Sequence, residues 1–301
     1  MTNAIRRLII ICMGLAAGLC AWPLVELVLA SQEAFPSYFL YSSAIGSLVG
    51  AILGAFFAAA GGLCDRAPGK ALDGAWKGAL AGLAGGVLST LVAQGLLFYF
   101  GDRFLYRQSP DGFTEGNSNT ALLIAQAAGW LVVGAAIGIA EGLRAKSARK
   151  VALGFIGGIA GGGLGGLLFT WLTIKAPDFN PGRLLALMLM GGLIAVFYAL
   201  LERRFAVGSL KVLNGPLKGK EFLVNQRRLR LGSDSACDIV LAGYRDVAAH
   251  HGELIVKKGE LVLRRGERVV IVNDRETAGQ TLKLDDVIKL GSATFLYGYF
   301  G

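Results

Sequence analysis

Charged residues are scarce in this sequence, and histidine is almost absent from it. Only 17% of the 301 residues are Asp, Glu, Lys or Arg, and the two histidines, His250 and His251, are neighbours. A histidine-based catalytic triad or a histidine-rich metal site therefore has too few residues. The cysteines lack the spacing of a disulfide framework or a zinc site, since they are Cys12, Cys20, Cys64 and Cys237.

The usual catalytic motifs are also missing. The sequence contains no Gly-x-x-x-x-Gly-Lys-Ser/Thr phosphate loop, no Gly-x-Ser-x-Gly elbow, no Cys-x-x-Cys pair and no His-Glu-x-x-His helix. The glycine-rich run at 161–166 lies within an apolar segment, where it cannot hold phosphate. We predict a protein that is not an enzyme and that needs neither metal nor cofactor. An enzyme that uses only carboxylates is the alternative.

What the sequence does contain is an excess of apolar residues. Hydrophobic side chains make up 54% of the chain, and the mean hydropathy is +0.55. A soluble globule of this size is less apolar, so lipid must cover much of the protein. The long uncharged runs end before Glu202, whereas the sequence from Lys211 onward is mixed in charge. We therefore expect two domains of different physical class.

Six apolar runs are long enough to cross a bilayer as helices. An all-α membrane bundle is predicted because the backbone of each run has no water with which to form hydrogen bonds. The predicted spans are 8–30, 38–63, 78–100, 121–143, 151–174 and 184–201. The membrane domain is predicted at 1–204, a linker at 205–208 and a second domain at 209–301.

Basic residues in the short connections predict the orientation. With the N-terminus inside, eleven lie on the inner side and four, Arg103, Arg107, Lys175 and Arg183, on the outer side. Both termini are therefore expected in the cytosol, at the plasma or inner membrane. Much of the net charge of +9 lies in these connections, so it does not indicate nucleic-acid binding. The alternative for the first span is a cleaved signal peptide, with 28–30 as the small-residue site.

Glycines recur every four residues in several spans. This spacing places them on one helix face, where two backbones can approach closely. Representative packing glycines are Gly50, Gly82, Gly138, Gly158 and Gly162. They are interpreted as seams within one bundle, and a homo-oligomer or a pore is the alternative. A weak similarity between the segments 62–82 and 142–158 favours a duplicated helical hairpin.

Polar side chains at membrane depth are few. Glu26, Gln94, Gln126 and Glu141 are the examples, and the two glutamates lie near span ends. We interpret them as carboxylates at the lipid interface, and no ion path is predicted.

From Ser209 onward, short β-branched or alternating runs are separated by turn residues. This pattern predicts an antiparallel β-sandwich of roughly 95 residues. Its strands are predicted at 210–213, 221–224, 229–231, 239–241, 253–256, 260–263, 269–272, 287–290 and 294–297.

Sequence blocks in this domain resemble the forkhead-associated (FHA) family. The blocks occur in order as Gly215, Gly219 and Phe222; Arg230-Leu231-Gly232; Cys237-Asp238-Ile239-Val240-Leu241; Val247 to His251; Val272-Asn273; and Leu284 to Gly291. The resemblance implies an FHA-type sandwich that recognises phosphothreonine peptides through an arginine, a serine and an asparagine. It also implies structural roles for Gly232, Asp238, His251 and Gly291, with His251 bracing the recognition loop.

The phosphate-binding positions depart from the family pattern. Ser233 stands where the family has arginine, Ala248 where it has serine, and Arg268-Val269 near its Asn-Gly pair. Asn273 matches a second family asparagine, and Arg245 and Arg268 are possible substitute cations. The candidate partner-binding or anion-binding residues are therefore Ser233, Arg245, Ala248, Arg268 and Asn273.

These features predict a membrane-anchored scaffold or signalling protein, of bacterial type. Its cytosolic domain is expected to bind a cytosolic or membrane protein without strict dependence on phosphothreonine, and its helices to contact lipid. One alternative is a phosphopeptide reader that uses the substitute arginines. Another is a small transporter or channel regulated by the FHA-like domain.

Overall fold

The structure, a computed structural model, describes residues 3–64, 68–100, 115–144, 148–175, 180–204, 206–224, 226–257 and 259–298. These residues divide into two compact units. One lies within Arg7–Leu201, and the other within Glu202–Gly301 together with the first residues of the chain. The first is helical and the second consists of strands, as the change in composition predicts.

Six helices of the first unit are long and apolar enough to cross a membrane. They are α1 (Asn3–Ala30), α2 (Tyr38–Cys64), α3 (Pro68–Phe100), α4 (Glu115–Arg144), α5 (Ala148–Lys175) and α6 (Asn180–Arg204), with a 3-10 turn at Gln32–Ala34. All six predicted spans are confirmed as helices. Large apolar side chains such as Leu72 and Phe98 are 75% and 81% exposed on the outside of this unit, which is consistent with a surface that faces lipid.

Helix α3 begins ten residues before the predicted span. Its first residue is Pro68, which is favourable in the first turn because that N–H has no helical partner. Lys77 Nζ lies 2.7 Å from Asp73 Oδ2 one turn earlier, so the added polar turns carry their own ion pair. The hydropathy pattern marks only the part of a helix that lipid covers, and this helix extends past it.

Glycines form the contacts between neighbouring helices. A Cβ on Gly50 would lie 2.2 Å from the carbonyl oxygen of Gly82, and one on Gly138 would lie 1.9 Å from that of Gly154. The first pair joins α2 to α3, and the second joins α4 to α5. Gly158 and Gly162 likewise contact Gly134 of α4. In the described residues these seams lie within one chain.

In the described part of the second unit there are eleven strands. They are β1 (Ser209–Val212), β2 (Glu221–Leu223), β3 (Arg228–Gly232), β4 (Ile239–Val240), β5 (Gly252–Lys257), β6 (Glu260–Arg265), β7 (Val270–Val272), β8 (Arg275–Thr277), β9 (Gly279–Leu282), β10 (Val287–Leu290) and β11 (Ala293–Gly298). One sheet has the order β2-β1-β11-β10-β7-β8 and the other β4-β3-β5-β6-β9. Buried residues including Leu210, Leu254, Leu263, Ile288 and Phe295 form one apolar core.

The predicted fold class, a six-helix membrane bundle followed by a sandwich of largely antiparallel sheets, is confirmed. Two details differ. β3 and β4 pair in parallel, with Leu231 opposite Ile239. β8 and β9 were not predicted, because their sequences, Arg-Glu-Thr and Gly-Gln-Thr-Leu, are mostly exposed and lack the apolar alternation that marks a half-buried strand.

Candidate functional site

Three loops of the β-unit lie together and are called here the loop end: the β3–β4 loop (233–238), the β4–β5 loop (241–251) and the β6–β7 loop (266–269). Ser233 N donates to Ala248 O at 3.0 Å, and Glu267 N donates to His250 O at 2.9 Å. Backbone hydrogen bonds thus connect the middle loop to both of its neighbours. The loop end is a continuous surface rather than three independent segments.

His251 braces the loop end from below. Its side chain is 1% exposed, and its Nδ1 accepts a hydrogen bond from Ala248 N at 3.2 Å. Since Nδ1 accepts, Nε2 carries the proton and donates to Val269 O at 2.9 Å. One imidazole therefore satisfies a backbone group in each of two loops. This contact agrees with the role that the FHA resemblance implies for His251.

The other family positions also support these loops. A Cβ on Gly232 would lie 1.9 Å from Ala249 O, so only glycine lets the β4–β5 loop pass this closely. Gly291 has φ +56° and packs against Arg245 and Asp246, which combines a left-handed backbone with a close approach. Asp238 Oδ2 accepts a hydrogen bond from Arg230 N at 2.9 Å.

The structure brings together four of the five candidate binding residues. Ser233, Arg245, Ala248 and Arg268 lie on the loop end, where Ser233 and Arg245 are exposed and Ala248 is half-buried. Arg268 is exposed and approaches the Asp246 carbonyl at 3.3 Å. No signal in the sequence singled out Asp246, which lies at φ +58°.

Asn273 is separated from the other four candidates. It follows β7, whereas the loop end precedes that strand. Its Nδ2 donates to Asp286 Oδ1 at 2.7 Å, and its Oδ1 accepts from Val287 N at 2.9 Å. The amide therefore joins the β7–β8 turn to the β9–β10 loop. Its grouping with the loop-end residues does not hold in the structure.

The loop end carries more acidic than basic groups. Its three loops, all within the described part of the chain, contain two guanidinium groups, on Arg245 and Arg268. They contain four carboxylates, on Asp234, Asp238, Asp246 and Glu267. The Arg268–Asp246 pair is highly exposed, with Arg268 NH1 3.5 Å from Asp246 Oδ1, so it contributes little to stability. The formal charge of the loops is negative.

Within the helical unit, Glu26 is paired rather than solitary. Arg183 Nε donates to Glu26 Oε1 at 2.7 Å, and Trp22 Nε1 donates to the same oxygen at 3.1 Å. The side chain of Glu141 lies outside the described residues. Gln94 and Gln126 line a common cavity with Arg183. The sequence identified the two glutamines and Glu26, but it showed neither the cavity that the glutamines share nor the partner of Glu26.

Residues 211–298 match the sequence profile of a family described as "Inner membrane component of T3SS, cytoplasmic domain". The match covers the β-unit and leaves the six helices outside it. The C-terminal unit is thus FHA-like, as its sequence blocks predict. No curated protein sequence matches the chain.

Solved FHA domains are similar to about a third of the chain. The FHA domain of CT664 from Chlamydia trachomatis is 27% identical, and the alignment covers 31% of this chain and 98% of that one, with a TM-score of 0.29. The N-terminal FHA domain of Rad53p from S. cerevisiae, solved with a phosphothreonine peptide, is 14% identical. That alignment covers 31% of this chain and 92% of that one, with a TM-score of 0.28.

Proposed function

We propose that this protein is a membrane-anchored scaffold whose FHA-like domain binds an unphosphorylated protein through the loop end. The observation that carries the proposal is the composition of the three loops, four carboxylates against two guanidinium groups, with the exposed Arg264 and Arg265 at the end of β6 beside them. A phosphothreonine side chain brings a charge of nearly −2, so a reader of phosphate needs a cationic and hydrogen-bonding cradle.

The residues at the family's phosphate positions support this reading. Ser233 lacks the planar fork with which arginine binds two phosphate oxygens, and Ala248 lacks a hydroxyl donor. Arg268, the nearest substitute, approaches Asp246, whose carboxylate would repel a phosphate at the same place. A phosphate-dependent reader would have to overcome this repulsion with two exposed arginines.

The loops are nevertheless well ordered for binding. His251 and the backbone bonds between Ser233, Ala248, His250 and Glu267 restrict the surface before any partner arrives. Preorganisation reduces the entropy lost on association, which favours recognition of a folded protein surface. The domain thereby keeps the ordered loops of a binding module but lacks the guanidinium and hydroxyl groups with which the family binds phosphate.

The six helices provide the anchor, and the charge bias of their connections favours a domain on the cytosolic side. The family description of residues 211–298, the cytoplasmic domain of an inner-membrane component, is consistent with this side and with a place in a larger membrane assembly. We propose the bacterial inner membrane as the location, with both termini in the cytosol.

The test uses the full-length protein in lipid nanodiscs. A phosphothreonine peptide library and its dephosphorylated counterpart are compared for binding, and equally weak signals are expected from both. Tight binding that disappears on dephosphorylation would contradict the proposal.

The partner is sought by cross-linking in cells followed by mass spectrometry. Ala249→Arg places a long cation on the exposed loop end, and Thr281→Arg places the same side chain on an exposed strand away from it. Partners that depend on the loop end should be lost with Ala249→Arg and retained with Thr281→Arg. If both variants retained the same partners, the loop end would not be the binding surface.

A further inference from the structure

A cavity of about 280 Å³ lies between the membrane helices. All six helices contribute to its wall, at the end of the bundle where α1, α3 and α5 end and α2, α4 and α6 begin. Membrane bundles gain stability from close packing, and the glycine seams of this protein pack backbone against backbone. A cavity of this size beside such seams is a departure from the packing rule and is near the lower size limit of small-molecule sites.

Uncharged polar groups converge on the cavity. Gln94 and Gln126 contribute amides, and Ser89 and Thr90 contribute hydroxyls. Both hydroxyls donate to Gly86 O, at 2.7 and 3.2 Å, so their oxygens keep lone pairs that can accept a hydrogen bond. The wall therefore offers both donors and acceptors at membrane depth.

One of these donors is not satisfied by the protein. Gln94 Nε2 is buried and has no hydrogen-bond partner among the described residues. A buried donor without an acceptor costs roughly 1–3 kcal/mol, and the cost is expected to be relieved when an acceptor enters. Gln94 thus identifies one atom type in a fitting ligand, a hydrogen-bond acceptor.

The wall carries no net charge. Arg183 is the charged residue among the described lining positions, and both oxygens of Glu26 are engaged with it, at 2.7 Å from Nε and 3.0 Å from NH2. A charged ligand would enter a low-dielectric site without a compensating counter-ion, which is unfavourable. The site therefore suits an uncharged molecule.

Aromatic rings share the apolar part of the wall with aliphatic side chains such as Leu29 and Leu97. Trp130 and Phe169 meet edge to face, with centroids 5.3 Å apart and planes at 68°. Tyr38 and Tyr41 lie on the α2 side of the same cavity. Aromatic rings offer flat apolar surfaces and dispersion contacts to a planar group.

We propose that this cavity binds a small uncharged molecule that has a planar apolar portion and a carbonyl or similar acceptor for Gln94. The proposal does not depend on the function of the FHA-like domain. With the orientation proposed above, the ligand would reach the site from the outer side of the membrane.

The test measures binding to the full-length protein in lipid nanodiscs by saturation-transfer NMR, with Trp fluorescence as a second signal. Benzamide is the probe, because it joins a neutral carbonyl to a planar ring. Benzoate and benzylammonium are nearly isosteric controls that carry a negative and a positive charge. We expect benzamide to bind with a Kd near 1 mM, which is typical of so small a ligand, and both charged analogues to bind at least about tenfold more weakly.

Three variants locate the binding. Gln94→Met replaces the amide donor with an apolar side chain of similar length. It should weaken benzamide binding about tenfold, the effect of one lost hydrogen bond. Ala93→Phe fills the cavity and should abolish binding, whereas Leu91→Phe adds the same ring on the 51% exposed, outward side of the same helix and should not. Binding of benzamide and benzoate with equal affinity, no binding at all, or unchanged binding by Gln94→Met would overturn the proposal.

Discussion

Arg183 and Glu26, 157 residues apart in the chain, form a two-pronged ion pair, with Nε 2.7 Å from Oε1 and NH2 3.0 Å from Oε2. The pair joins the first membrane helix to the last. Both side chains are mostly covered, being 20% and 27% exposed. Removing one partner would leave a charge that is largely shielded from water, which is costly. We therefore expect this pair to hold the first and last helices together.

Replacing Glu26 with Gln should destabilise the helical unit by about 2 kcal/mol, less than the roughly 3–5 kcal/mol of a fully buried pair, because both groups keep some solvent. Unfolding of the full-length protein in detergent measures the change. Glu33→Gln in the exposed 3-10 turn is the control and should change stability by less than about 0.5 kcal/mol. Equal effects of the two variants would show that the ion pair has no stabilising role.

Gly82→Ala should separate α2 from α3, since the new Cβ would lie 1.9 Å from Gly50 O. Neither backbone can move without losing the seam, and we expect a loss of about 2 kcal/mol or more, similar to overpacking of a core. Gly95→Ala is the matched control on the same helix. Its Cβ would meet nothing within 4 Å, and alanine should leave stability unchanged or raise it by up to about 1 kcal/mol. Thermal unfolding in nanodiscs compares the two, and equal loss would contradict the seam.

His251→Leu should loosen the loop end. Ala248 N–H and Val269 C=O would both lose their partner, which costs about 2 kcal/mol for two partly buried backbone groups. Amide hydrogen exchange of the full-length protein should show faster exchange at 247–250 and 266–269. His250→Leu changes an exposed neighbour and should leave exchange in 266–269 nearly unchanged. Unaltered protection in His251→Leu would refute the bracing role.

Asn273→Gly tests whether that amide is structural. Both Asn273 and Asp274 have positive φ, at 49° and 61°, so glycine relieves a similar backbone strain at each. Only Asn273→Gly removes the hydrogen bonds to Asp286 and Val287, whereas Asp274→Gly removes an exposed ion pair with Lys289 that contributes little. Asn273→Gly should therefore be about 2 kcal/mol less stable than Asp274→Gly. The measurement is denaturant unfolding followed by near-ultraviolet dichroism. Asn273→Gly should leave partner binding at the loop end unaffected. If partner binding were lost, Asn273 would belong to the binding surface after all.

Phosphate recognition should appear if the missing groups are restored. The double variant Ser233→Arg and Ala248→Ser supplies the fork and the hydroxyl at the family positions. Each charge-assisted hydrogen bond is worth about 1.5–3 kcal/mol, so affinity for phosphothreonine peptides should rise by on the order of 100-fold over the original chain. Ser235→Arg, at an exposed position of the same loop, is the control for added charge alone. An equal gain in both would mean that charge, not geometry, had limited binding.

Much of the fold could be predicted because hydrophobic patterning is local. The six spans follow from run length, and most strands follow from short apolar runs between turn residues. The exceptions have a physical cause. β8 and β9 bury little, so no alternation marks them, and α3 continues from Pro68 through a polar segment that hydropathy does not report.

The candidate site was predicted only in part. Ser233, Ala248 and His251 lie in loops in the structure, and the FHA blocks predict this because loop positions are set by the strands on either side. They cannot tell that Asn273 joins two turns, since its partner Asp286 comes from another loop. The negative charge of the loop end was likewise hidden, because its carboxylates come from three separate segments of sequence.

The sequence alone determined the six long apolar helices, the change of composition that separates the two units and the residue types at the family's phosphate positions, because each depends on residue type and on short-range order. Three relationships were decided by the tertiary structure. Particular glycines face each other, Arg183 neutralises Glu26, and Gln94 lines a cavity to which six helices contribute. These relationships join residues that are far apart in the chain. Such contacts arise from packing, which local sequence patterns do not predict.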